Sequence, residues 1–231
     1  MLAVVLPLLA NAQATSATYG DLLDQLDQLA TSTAADPDVR AHWDRLVHRH
    51  RLSDTPETYA EFVRVRLVHE AVRAGGHAGL IWGITDQQPD AHQIWAAWRA
   101  SPGQPFTAEC DELSAVFAQL SRGLGVDHVG LFWPTSNHTV AVWSTPGQDG
   151  QPVRIVVPTS QVFLTPGAGL GDLSFDPWTQ RTIYDYSGKE LRRTDPLPAA
   201  LVDHLVLGAR SFGGLSEEEL RQRRIQGRWS R

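Results

Sequence analysis

Glu109-Cys110-Asp111-Glu112-Leu113-Ser114-Ala115-Val116-Phe117, running on to Leu120 and stopped by Gly123, is the stretch that decides the fold. Leu113, Val116, Phe117 and Leu120 share one face at helical spacing, which predicts a helix from about Ala108 to Arg122. Downstream the pattern shortens into β-rich segments: Val126 to Phe132, Thr139 to Trp143 and Val153 to Val157. Pro146-Gly147-Gln148-Asp149-Gly150 separates the last two and reads as a hairpin loop. A helix near Leu197 to Ala209 follows, and a polar, arginine-bearing one opens at Ser216 and Glu219.

Upstream the chain reads as helical. Leu22, Leu23, Leu26 and Leu29 form one stripe, ended by the breaker-rich stretch Thr31 to Pro37. A second helix starts near Pro37-Asp38 and carries Trp43, Leu46 and Val47. The third has Thr55 as N-cap, Pro56 at its first position and Glu57 in its first turn, and runs to Gly75-Gly76. A fourth, Ala91 to Ala100, carries Ile94, Trp95 and Trp98. The order is helices, a helix opening at the cysteine, then an antiparallel sheet, which is an α+β arrangement. Residues 15–100 are its helical part and 101–231 the cysteine-helix-plus-sheet part, together one compact domain.

The 231 residues hold one cysteine, Cys110, and 20 basic against 26 acidic side chains, for a formal charge of -6. A single thiol excludes an intrachain disulfide and any cysteine-rich metal site. The acidic balance provides no basic field for nucleic acid. Leu2 to Ala10 is an apolar run far too short to span a bilayer. With Ala12-Gln13-Ala14 behind it, the 1–14 segment resembles a secretory signal, although no basic residue precedes Arg40. A signal would place the protein in the periplasm or outside the cell; an ordinary N-terminal segment would leave it in the cytoplasm.

A thiol in the first turn of a helix meets the positive end of the helix dipole and unpaired N–H groups, both of which favour the thiolate. Glu109, Asp111 and Glu112 act in the opposite sense. Free cysteines often merely pack in a core, but this helix's apolar stripe is complete without Cys110. Among nine histidines, His138 is best placed as general base, because it opens the strand Thr139 to Trp143. His69-Glu70 does not extend to a zinc-binding His-Glu-x-x-His pattern, and His69 fits an ordinary helical face.

The segment from Glu109 to Leu120, followed by Gly123-Leu124-Gly125-Val126, resembles the cysteine helix of the transglutaminase-like superfamily. His138-Thr139-Val140-Ala141-Val142-Trp143 is similar to that family's histidine strand. The resemblance covers roughly residues 90 to 165. It implies a papain-like core, a Cys110–His138 pair, no cofactor, and acyl transfer from the amide of a protein or peptide substrate by hydrolysis, deamidation or transamidation.

The family's third residue is an aspartate before Pro-Thr, whereas Val157 precedes Pro158-Thr159 here. Asp176, ahead of Pro177, is the first candidate to orient the imidazole, since a carboxylate best stabilises imidazolium. Gln161 is next on geometry, and Thr159 also faces the region of His138 if the hairpin folds about Gln148-Asp149. As a turn residue before proline, Asp176 equally needs no catalytic role. Gln104, six positions before Cys110, matches the spacing of the oxyanion-hole glutamine in papain-like proteases; as a loop residue it needs no function either. The missing aspartate leaves a second expectation open, a non-catalytic transglutaminase-like binding or scaffold module.

Overall fold

Helix α1 (Tyr19–Thr33) begins where Thr18 accepts the Asp21 N–H and the Asp21 carboxylate accepts the Thr18 N–H in return, a reciprocal capping box. Helix α2 (Pro37–His50) starts with Asp36 as N-cap, and α3 (Pro56–Val72) with Thr55 as predicted. A computed structural model describes residues 16–73, 81–82, 91–100, 106–135, 138–160, 170–171, 184–185 and 191–213. Three further helices follow, α4 (Ala91–Ala100), α5 (Cys110–Gly123) and α6 (Ala199–Gly213). The helix expected from Ser216 and the Gly75-Gly76 stop lie outside the described residues.

The breaker-rich stretch begins later than expected, since Thr31 to Thr33 complete the last turn of α1. Thr31 and Ser32 permit this by turning their hydroxyls back onto the Asp27 and Leu29 carbonyls.

The sheet has strand order β6-β5-β4-β7, with β4 (Val129–Thr135), β5 (His138–Pro146), β6 (Pro152–Val157) and β7 (Tyr184–Asp185), all antiparallel. The β5–β6 ladder pairs Ala141 with Val157 and ends at Pro146 with Pro152, closed by Gly147 to Gly150 as the sequence predicts. Three pairings were not legible: β1 (Ala17–Thr18) against β8 (Pro196–Leu197), β2 (Ile81–Trp82) parallel to β3 (Thr107–Ala108), and β7 on β4. Each involves a two-residue strand, too short to carry a period.

One face of the sheet, from Leu131, Ala141, Trp143, Ile155 and Val157, joins the main core with α5. The other face holds a separate buried cluster, Phe132, Val140, Val142 and Val156. The sheet is therefore buried on both sides around β5. Helix α3 is central as well: every residue from Val65 to Val72 is buried, Arg66, His69 and Glu70 included. Among the described residues no helix is long and apolar enough to cross a membrane. The mixed α+β class with small, mainly antiparallel sheets agrees with the sequence reading.

Candidate functional site

Cys110 is the first residue of α5. The start is held from both sides. Upstream, Phe106 and Ala108 are buried and the Trp98 Nε1–H donates to the Thr107 carbonyl at 3.1 Å. Downstream, the Glu112 carboxylate accepts the Glu109 N–H at 3.0 Å, and the Asp111 carboxylate accepts the Glu112 N–H at 2.9 Å. Acidic first-turn side chains thus satisfy the helix's open donors, as their sequence position implies. Cys110 itself is partly exposed.

The backbone N–H of Thr139, the residue after His138, is near enough to favour the Cys110 thiolate. The helix start and the start of β5 consequently meet at one end of the sheet. Burial pushes the Cys110 thiol above its ordinary range; the Thr139 N–H opposes this, the Asp111 and Glu109 carboxylates reinforce it, and the Asp111 N–H opposes it again. Burial, which the dipole argument leaves out, is the largest of these effects. Asp111 is likewise raised by its own burial.

His138 is 3% exposed, and burial pushes its imidazole below the usual range. At neutral pH the site therefore combines a protonated thiol with a neutral imidazole. That is not a preformed ion pair. Strand alternation puts Thr139 with Ala141 and Trp143 on the face toward α5, and His138 with Val140 and Val142 on the opposite face, so it is Thr139 and not His138 that β5 turns toward the start of α5. A register shift in β4 between Phe132 and Thr135 lies opposite this strand start. Bulges of this kind re-aim side chains at sheet ends.

Thr159 is described and fully buried. Continuing the β5–β6 register sets it across from Thr139, and Ser160 across from His138, one residue from the hairpin centre used in the sequence reading. Its hydroxyl meets Ser114 Oγ at 2.8 Å, and Ser114 Oγ donates to the Cys110 carbonyl at 2.6 Å. Gln104, Gln161 and Asp176 lie outside the described residues.

A buried polar group on α3, which the sequence reading assigned to an ordinary helical face, reaches the same region. His69 Nε2 lies 2.8 Å from the Pro158 carbonyl, and Glu70 accepts from Arg73 Nε at 2.6 Å. The available signal was Arg64, Arg66, His69 and Glu70 spread around α3, which leaves that helix no single polar face to turn to solvent. Among the described residues, no group of three or more His, Cys, Asp or Glu side chains is arranged to hold a metal ion.

No family model matches the chain, and a search of curated proteins and a search of solved structures likewise return no match.

Proposed function

We propose that the protein is a transglutaminase-like cysteine enzyme that cleaves or transfers the amide acyl group of a protein or peptide. The observation that carries this reading is the meeting of the first turn of α5 with the strand end that opens at His138: Ser114 Oγ meets Thr159 at 2.8 Å, and the Thr139 N–H favours the Cys110 thiolate. In this mechanism the His138 imidazole, which strand alternation puts on the face away from α5, has to turn around the start of β5 to take the Cys110 proton as the sulfur attacks the amide carbon. It then returns that proton to the leaving nitrogen, and water or an amine releases the acyl group. The Thr139 and Asp111 N–H groups that stabilise sulfur charge serve the attacking thiolate. Asp176 is the first candidate to orient His138, followed by Gln161, while Thr159 is engaged by Ser114 on the α5 side instead; Gln104 is the candidate oxyanion donor.

Iodoacetamide is expected to label Cys110 in the folded protein, with His138→Ala slowing the labelling. Amide turnover should fall by about 10²–10⁴-fold in the same variant. A thiol that reacts only after denaturation would overturn the reading.

The upward displacement of the Cys110 thiol favours a second reading, a non-catalytic module of the same architecture. In that case alkylation of Cys110 is indifferent to His138→Ala, and a Cys110→Ser variant keeps every binding property of the protein.

A further inference from the structure

We infer that His69, on the central helix α3, is a positioning residue for Cys110, acting through Pro158, Thr159 and Ser114; this rests on reading Cys110 as the nucleophile. The direction of every link follows from proton counting. A carbonyl only accepts, so His69 Nε2 carries the hydrogen donated to Pro158 at 2.8 Å. Ser114 has one hydroxyl proton, and it goes to the Cys110 carbonyl at 2.6 Å. In the 2.8 Å contact between Ser114 and Thr159, Thr159 is therefore the donor.

The result is a directed path across the core. His69 fixes the chain leaving β6, the next residue donates to Ser114, and Ser114 donates to the residue bearing the thiol. His69, Ser114 and Thr159 are 3%, 0% and 1% exposed, so water does not compete for these bonds. Nδ1 of the His69 ring lies 3.7 Å from the Glu70 carboxylate, beyond hydrogen-bond distance, and that carboxylate is held by Arg73. Arg66 contributes charge to the same interior from α3, and His42 on α2 faces it as a neutral imidazole. Groups facing the thiol itself are Asp111 and Glu109 on its own element and the Thr139 N–H on β5.

Freeing Pro158-Thr159 lets the first turn of α5 shift. A few tenths of an ångström spoil the alignment of the Thr139 and Asp111 N–H groups with sulfur without admitting water. The raising effect of burial then persists while the lowering contacts weaken.

Thiolate absorbance and iodoacetamide alkylation, each followed against pH in the full-length chain, test this. His69→Ala and Thr159→Val are each expected to move the Cys110 midpoint to higher pH, with native alkylation at fixed neutral pH falling about tenfold per unit of displacement. The double variant should move it no further than either single change, and His69→Gln, which retains a donor at the Nε2 position, should restore it. A folded His69→Ala protein with an unmoved or lowered midpoint overturns the inference, as does a shift that Thr159→Val fails to reproduce. If His69→Ala does not fold, Thr159→Val and His69→Gln carry the comparison. Because absorbance titrates the thiol whether or not it attacks a substrate, coupled shifts without His138-dependent reactivity would sink the enzyme reading alone.

Discussion

His42 shows what the interior does to a single ionisable side chain. It is 8% exposed and packs edge-to-face with Phe62 at 5.3 Å. Burial, with the nearby Arg66 and Arg45 charges, lowers its pKa to about 3. The folded state therefore holds His42 neutral while the unfolded chain takes a proton below about pH 6.5. Its contribution to stability is complete above that value and is lost as pH falls toward about 3. Inside the window the loss approaches ~1.4 kcal/mol per pH unit. Urea titrations at pH 7, 5 and 4 should show a smaller acid-side loss in His42→Gln than in the parent; parallel loss in both proteins would contradict the assignment. His138, also depressed by burial, acts in the same sense.

At the scale of elements, α3 and α6 lie side by side with Gly208 at the contact. A Cβ there would sit 3.1 Å from the Glu70 carbonyl oxygen and 3.2 Å from Ala71 Cα, both rigid backbone atoms. Alanine would add about 1 kcal/mol of helix propensity, yet overpacking against backbone typically costs about 1–3 kcal/mol. Gly208→Ala is expected to be net destabilising in a urea melt, and a net stabilisation would show that the helices separate freely. The same contact explains the limits of the sequence reading. Thr55-Pro56 announces the start of α3 because capping is local chemistry, and the stripe from Leu113 to Leu120 announces α5 because its periodicity is local too. The burial of His69 and Glu70 is decided by α6 and by the β6 exit, far away in sequence, and no local pattern records it. For the site, Cys110 at a helix start and His138 at a strand start were legible; the Ser114–Thr159 contact was not, since it joins residues 45 apart.

Across the whole molecule one buried cluster runs from Tyr19 in α1 through α2, α3, α4 and α5 and the sheet to Ala209 in α6. Trp43, Phe62 and Trp143 make its aromatic centre, with Trp43 5.1 Å from Phe62 and 6.5 Å from Trp143. The helical part and the sheet part therefore share their core. Trp143→Ala is expected to cost about 3–5 kcal/mol and to lower stability in both parts together. Tryptophan fluorescence and far-ultraviolet circular dichroism should report one coincident transition; separated transitions would divide the chain into independent units.

The β6 side of the sheet has a further consequence. The Gly171 N–H, on a backbone with φ of +77°, donates to the Val156 carbonyl at the apolar end of β6. Its other end carries Pro152, which has no N–H, and the charged Arg154. A strand end flanked by apolar residues on both faces would otherwise template the growth of intermolecular ladders. Capped at one end and interrupted at the other, β6 leaves fewer open backbone groups along its outer edge for another strand to pair with.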